Sequence, residues 1–128
     1  MKRRLQILET NYGRDAGWVI EYQGRSIAIL TDPRFVDMFL DSYRVEPLTQ
    51  DAEERQKLMS SSAFWKEGRF TFRNRQFGDI APHAVALGSP DPAEQRVLMR
   101  GLYLPIGDPW PWERLLLWWR GQIKRHGV

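Results

Sequence analysis

The sequence predicts a small α+β domain in which an antiparallel sheet or partly open β-barrel, of about five or six strands, packs against a C-terminal amphipathic helix. Two observations support this fold class. Short segments of alternating apolar and polar residues, separated by turn-forming Gly, Pro, Asn and Asp, recur between residues 4 and 104. Residues 110–125 instead place large apolar side chains at helical spacing. At 128 residues, a single domain, 1–128, is expected.

An N-terminal β-meander is predicted over residues 4–30. Its first strand covers residues 4–10, and the turn-forming residues 11–17 follow. Residues 18–30 then show the clearest local pattern in the chain, because two alternating apolar segments flank a tight Gln-Gly-Arg connection. We therefore expect a hairpin at 18–30, preceded by one further strand.

The next segment is ambiguous. Asp32 can cap a helix that has Pro33 at its first position, so one helical turn is predicted over Pro33–Asp37, followed by a strand over Met38–Glu46. The alternative is a continuous, buried, extended segment that reaches Pro47. Periodicity alone does not separate these two interpretations in so short a run.

A surface helix over Thr49–Ser60 is predicted next, with Thr49 as its cap and acidic residues in its first turn. Residues 60–62 are expected to form a loop. Alternation resumes over Arg69–Phe77, where Phe70 and Phe72 share one face of a predicted strand.

Two more strands are predicted towards the C-terminus. The first is short, over His83–Leu87, and the second covers Arg96–Leu104. Gly101 within the second indicates a bulge or a close backbone approach. A helix-start signature at Asp108–Glu113 then precedes a stripe formed by Trp112, Leu115, Leu116, Trp119 and Ile123.

Composition excludes several function classes. The chain has no Cys, which removes disulfides, thiolate metal sites and a cysteine nucleophile, and only two His remain for a histidine-based metal site. The net charge of +3 comes from 19 basic and 16 acidic residues, an ordinary balance despite a pI near 9.5. The N-terminal segment lacks the apolar core of a signal peptide, and no apolar run is long enough to span a bilayer. We therefore expect a soluble, cytoplasmic protein.

No catalytic motif is evident. Asp32, Asp37 and Asp41 are close in sequence, and Asp79 precedes His83 by four residues, but none of these matches a known ligand or acid–base pattern. A non-enzymatic protein without metal or cofactor is expected. A small hydrolase or nuclease would require these side chains to meet in one cleft.

The C-terminal helix predicts a protein-interaction surface. Leu117 and Trp118 lie off the buried stripe, with Arg114 and Arg120 beside them, a composition typical of interfaces. The chain is expected to act as an accessory, regulatory or partner-neutralising subunit, and its partner is another protein or a second copy of the chain. A membrane-surface helix is less favoured, because the segment is short and has four basic residues.

The alternative is a nucleic-acid-binding accessory protein. Four positions, Arg69, Thr71, Arg73 and Arg75, would share one strand face with successive positions about 7 Å apart, a spacing close to that of phosphates in a single strand. The residues Lys2, Arg3 and Arg4 would add a flexible basic arm. The competing interpretation is a solvated sheet face whose arginines pair with acidic residues on neighbouring strands.

Overall fold

A computed structural model describes residues 2–37 and 40–105. The predicted C-terminal helix, 110–125, lies outside the described residues. Within them, three helices and six strands follow one another, together with a 3₁₀ turn at Arg14–Ala16. In chain order the elements are α1 Lys2–Glu9, β1 Trp18–Tyr22, β2 Arg25–Asp37, β3 Leu40–Pro47, α2 Ala52–Ser60, α3 Ser62–Glu67, β4 Thr71–Asn74, β5 Val85–Ala86 and β6 Arg96–Arg100.

The strands form one antiparallel sheet in the order β4-β1-β2-β3-β6-β5. The sheet curls into a half-barrel, which confirms the α+β class and the partly open barrel. Its two ends approach each other across a cleft, where Phe70 and Phe72 face Val85 and Ala86, and Trp65 of α3 lines the same space.

The concave side of the sheet holds the core. Trp18, Ile20, Leu30, Tyr43 and Met99 are all fully buried and come from four different strands. Burial alternates along β1 and β3, as expected for strands with one covered face. An aromatic group extends this core towards the open side of the half-barrel. Its edge-to-face pairs join Tyr22, Phe64, Trp65, Phe70 and Phe72.

The first strand of the predicted meander is wrong, because residues 4–10 belong to helix α1 and the turn that follows it. Ile7 and Leu8 are both buried. Adjacent residues of a strand point to opposite faces, whereas adjacent residues of a helix are separated by about 100° and can share a buried side. The hairpin over residues 18–30 is confirmed by the pairing of β1 with β2.

The predicted helical turn at Pro33–Asp37 is also wrong, because β2 remains extended to Asp37. Its ladder with β3 is interrupted by a bulge between Thr31 and Arg34, where Asp32 adopts a positive φ of 51°. Pro33 has no N–H to donate, and a bulge is a position where a strand tolerates that loss. The predicted strand over 38–46 is confirmed by β3 from residue 40 onwards, while residues 38 and 39 lie outside the described residues.

A buried arginine holds this bulge. Arg96 of β6, with a side chain 7% exposed, reaches across β3 and donates to Ser42 Oγ at 2.5 Å and to Ser42 O at 2.7 Å. The same guanidinium donates to Asp32 Oδ2 at 2.9 Å and to Asp32 O. One side chain therefore links three strands at the point where β2 changes course.

The predicted surface helix is confirmed as α2, but its cap is Asp51 rather than Thr49. The Asp51 carboxylate accepts from Glu54 N, while buried Thr49 accepts from Asp51 N and supports the cap. The predicted loop over residues 60–62 is longer than the observed connection, because Ser61 alone separates α2 from α3. Ser61 ends α2 and caps α3, whose Trp65 donates its indole N–H to Leu58 O.

The strand predicted over Arg69–Phe77 is shorter, because β4 ends at Asn74. Buried Asn74 accepts from Gln76 N and Phe77 N and donates to Gly13 O, so its side chain turns the chain out of the sheet. Likewise β6 ends at Arg100 rather than Leu104. Gly101 has φ +69°, and a Cβ there would lie 2.5 Å from His83 O, so the close approach predicted for this glycine is present.

The Arg96 links predict a large difference between two arginines that both bind Asp32. We expect Arg96→Met to lower the free energy of unfolding by about 1.5–3 kcal/mol, because it leaves part-buried acceptors of Ser42 and Asp32 without their charged donor. Arg34→Met should change it by less than about 1 kcal/mol, since Arg34 is exposed and lies 3.5 Å from Asp32. Urea unfolding followed by tryptophan fluorescence measures both values. Equal losses in the two variants would show that Arg96 has no special structural role.

Candidate functional site

The part of β2 beyond its bulge, residues 32–37, is the least covered strand segment of the described fold, and we call it the β2 extension. Strand β1 pairs with β2 only as far as Leu30. Beyond that point, within the described residues, the ladder of the β2 extension runs along β3 alone, from Arg34 opposite Ser42 to Asp37 opposite Leu40. One backbone edge of the extension therefore has no strand beside it in the described part of the chain.

The side chains of the β2 extension are largely exposed. Phe35 is 77% exposed and its neighbour Val36 is 49% exposed. A second irregularity of the ladder with β3 lies between Phe35 and Asp37, so these two side chains do not follow simple alternation, and the described part of the chain leaves both of them uncovered. The extension is nevertheless held at its base by the Arg96 links to Asp32. It is a fixed apolar strand that projects from the sheet.

This segment is a site that sequence reasoning missed. The run from Phe35 to Leu40 is rich in apolar residues on both parities, which is the usual pattern of a strand buried on both faces. The same pattern fits a strand exposed on both faces and available to a partner, and a single sequence offers no signal that distinguishes the two.

The residues predicted for partner binding, Arg114, Leu117, Trp118 and Arg120, lie outside the described residues. The interface predicted on the C-terminal helix therefore stays a prediction.

The arginines of the predicted basic row do not form a continuous row on one strand. Arg69 and Arg75 are exposed and flank β4, while Arg73 lies within it. Arg73 Nε bonds Glu21 Oε1 at 2.8 Å on the neighbouring β1, and Arg73 Nη1 donates to Gly78 O at 2.7 Å. At Arg73, pairing with an acidic residue of the adjacent strand is what the structure shows.

The basic N-terminal residues lie on helix α1 and not on a flexible arm. Arg3 pairs with Asp79 and donates to Phe77 O. Since Arg73 donates to Gly78 O, the turn at 77–79 is bonded from both sides. It brings the two predicted basic groups, Lys2–Arg4 and the arginines around β4, to the same part of the surface.

The acidic residues considered for catalysis are each engaged by other groups, although the charge of Asp37 lies close enough to Asp41 to help raise the pKa of Asp41. Asp32 binds Arg96, Asp41 binds Arg14, and Asp79 binds Arg3, while Asp37 accepts from Leu40 N. Among the described residues, no group of three or more His, Asp or Glu side chains is placed to hold a metal ion.

A second polar site surrounds Arg14 in the 3₁₀ turn. Its Nε lies 3.0 Å from Asp41 Oδ2, and its carbonyl accepts from the hydroxyl of buried Tyr43, which in turn accepts from Trp18 Nε1 at 3.2 Å. The Nε–H is buried and does not point along the line to Asp41, so this contact is an ion pair without a hydrogen bond. Two residues of β3, Asp41 and Tyr43, thereby fix the position of Arg14.

Burial shifts the protonation of two groups at this site. It raises the pKa of the Asp41 carboxyl above its ordinary value, although the positive charge of Arg14 opposes the shift. Burial also raises the pKa of the Tyr43 hydroxyl, so Tyr43 stays neutral and serves as a hydrogen-bonding link.

A cleft of about 350 Å³ opens beside Arg14, which we call the Arg14 cleft. The Arg14 guanidinium carbon lies 5.4 Å from the centre of the Tyr103 ring and 6.0 Å from that of Tyr12. The His83 ring also lies near Tyr103, with 6.4 Å between the two ring centres. The lining residues are Arg14, His83, Val85, Arg100, Gly101 and Tyr103.

Comparison with protein-family models, curated proteins and solved structures finds no match for this chain. None of the helices in the described ranges is long and apolar enough to cross a membrane. Any functional conclusion therefore depends on the sites themselves.

The raised pKa of Asp41 predicts a pH dependence of stability. The folded state binds a proton at Asp41 more readily than the unfolded state, so this contribution is present at low pH and is lost as the pH rises through the folded pKa. We expect the free energy of unfolding of the wild type, relative to Asp41→Asn, to fall as the pH rises from about 3 to about 6. Urea titrations at several pH values measure this difference, with Glu53→Gln as the control for removal of one exposed carboxylate. A relative stability that grows with pH would show that the Arg14 charge outweighs burial.

Proposed function

We propose that this chain is a non-enzymatic protein–protein interaction module, acting as an accessory, regulatory or partner-neutralising subunit. The observation that favours this function most is the β2 extension, whose neighbouring side chains Phe35 and Val36 are both exposed. A partner that encloses the strand can bury both side chains. Each large apolar residue transferred from water contributes about 1.5–3 kcal/mol.

The backbone of the β2 extension adds a second mode of attachment. Its ladder with β3 leaves one edge beside no other described strand. A partner strand can pair along such an edge, with backbone hydrogen bonds supplying affinity and the alternate side chains supplying specificity. Pro33 and the bulge at Asp32 limit this pairing to the outer residues of the extension.

The base of the extension is suited to binding because it is already ordered. Arg96 holds Asp32 from within the sheet, and Arg34 lies within ion-pair distance of both Asp32 and Glu94. A segment fixed before binding loses less conformational entropy when a partner arrives. Arg34 would then lie at the rim of an interface centred on Phe35.

We also propose a second interaction surface on the C-terminal segment, with Leu117 and Trp118 as its apolar residues and Arg114 and Arg120 beside them. A homodimer is its simplest form, because a two-fold interface uses the same surface of each copy.

The test compares the self-association of the full chain with that of three variants by multi-angle light scattering over a range of concentrations. We expect Phe35→Lys combined with Val36→Lys to weaken association at least tenfold, because the apolar pair is no longer buried. Leu117→Glu combined with Trp118→Glu tests the second surface. Leu48→Lys is the matched control, since Leu48 is also an exposed apolar residue, at 42%, but lies outside the extension.

A heteromeric partner is tested by placing a photo-crosslinking phenylalanine analogue at position 35 or, as the control, at exposed position 55. A discrete adduct from position 35 alone supports the proposal. If all variants are folded monomers at every concentration and position 35 gives no discrete adduct in cells, the proposed function is wrong.

Nucleic-acid binding is the second candidate. It is favoured by the surface around the turn 77–79, to which side chains of both α1 and β4 are hydrogen-bonded. The exposed Arg69 and Arg75 lie on either side of β4, and helix α1 adds Lys2 and Arg4 beside it. The contacts of Arg3 with Asp79 and of Arg73 with Glu21 reduce the charge of this surface. Binding would depend on backbone phosphates and not on base identity.

For this candidate we expect the chain to bind single-stranded or duplex oligonucleotides at low salt and to lose affinity steeply as salt rises. Arg69→Ser combined with Arg75→Ser should weaken binding and lower the salt slope by about 0.7–0.9 for each phosphate that is no longer neutralised. Arg55→Ser, at an exposed position on α2, should leave both quantities unchanged. Fluorescence anisotropy at two salt concentrations measures the effect. Absence of binding at low salt, or equal weakening in both variants, would exclude this role.

A further inference from the structure

The geometry of the Arg14 cleft points to a binding site for the phosphate monoester of a small molecule. This inference goes beyond the proposed function and does not depend on it. The cleft brings together two guanidiniums and an imidazole, from Arg14, Arg100 and His83, around a volume of about 350 Å³. That volume lies within the range of small-molecule sites in proteins.

The three donors come from separate parts of the fold. Arg14 projects from the 3₁₀ turn, Arg100 ends β6, and His83 precedes β5. A phosphate monoester presents three oxygens in a pyramidal arrangement, whereas a carboxylate presents two in a plane. Three such donor groups in the lining of one cleft can bond more oxygens of a phosphate than of a single carboxylate.

Arg14 is ordered before any ligand arrives. Its carbonyl accepts from Tyr43, its Nε lies against Asp41, and its guanidinium lies over the Tyr103 ring. Its Nη1 makes a long contact, 3.3 Å, with Asn11 Oδ1. A guanidinium fixed in this way loses little side-chain entropy when it binds an anion.

Arg100 adds a second positive charge to the cleft, where Asp41 partly neutralises the charge of Arg14. It is exposed at the mouth of the cleft, and no ion pair joins it to a carboxylate among the described residues. Among the described residues, the lining of the cleft holds two guanidiniums and no carboxylate, although Asp41 contacts Arg14, so the lining itself is positively charged. A phosphate monoester, with a charge of about −1.5 to −2 at neutral pH, complements that charge.

The walls of the cleft indicate what the phosphate is attached to. Tyr103 is partly exposed, and Val85, which is 54% exposed, pairs with Arg100 across the β5–β6 ladder. Gly101 allows the backbone of His83 to approach closely, which brings His83 to Tyr103. A planar or apolar group on the ligand can pack against these side chains while its phosphate contacts the arginines.

The test is isothermal titration calorimetry of the full chain with inorganic phosphate, a sugar phosphate and a nucleoside monophosphate, each at concentrations up to about 5 mM. Succinate and the unphosphorylated nucleoside are the comparison ligands. We expect at least one phosphate monoester to bind at least tenfold more tightly than either comparison ligand. The sugar phosphate and the nucleotide distinguish whether the wall of the cleft selects a sugar or a base.

Two variants assign the binding to the cleft. Arg100→Gln should weaken it at least tenfold, because an exposed arginine can be replaced without disturbing the fold and its charged hydrogen bonds to phosphate are removed. Arg44→Gln removes the same charge from an exposed position of β3 and should have no effect. If no phosphate binds, if succinate or the nucleoside binds as tightly, or if the two variants behave alike, the inference is wrong.

Discussion

The buried guanidinium of Arg96 is the interaction on which the shape of the sheet depends. It bonds to Ser42, which is 54 residues away in the chain, and to Asp32, which is 64 residues away. These contacts stabilise a positive φ at Asp32 and a bulge beside Pro33, both of which disfavour regular pairing. A short apolar residue at position 96 would leave the part-buried acceptors of Ser42 and Asp32 without this charged donor. The course of β2 beyond the bulge, and hence the exposure of Phe35, follows from this one side chain.

Two further polar side chains perform similar tasks elsewhere. Asn74 ends β4 and donates to Gly13 O, so the loop before β1 is bonded to the end of the neighbouring strand β4. The Tyr43 hydroxyl accepts a hydrogen bond from Trp18 in the core and donates one to the carbonyl of Arg14. In each case a buried polar group has its partners, as the cost of burying it requires. The apolar core sets the sheet, and these polar links set where the loops carrying the candidate sites lie.

The sequence predicted those parts of the fold whose signals are local. The hairpin at 18–30, helix α2 and the short strand β5 follow from alternation, an acidic first turn and the spacing of turn residues. The errors share a physical cause. Ile7 and Leu8 are compatible with a strand or a helix until the core they face is known. Asp32–Pro33 has the sequence of a helix start, and the contacts that stabilise its extended form come from Arg96, which is distant in sequence. The same holds for the sites: Arg14, Asp41 and Tyr103 meet only through tertiary structure, and the exposure of Phe35 depends on what the sheet does not cover.

The position of β6 has a consequence for the order in which the sheet assembles. Strands β1, β2 and β3 follow one another through short connections, so their pairing closes only small loops. Strand β6 must cross back to β3 over the whole segment that holds α2, α3, β4 and β5. Closing a longer loop costs more chain entropy, so this pairing is expected late in folding. Until then β3 is an open strand edge next to an unclamped β2, and the nascent chain is most prone to mispair with a neighbour during that interval.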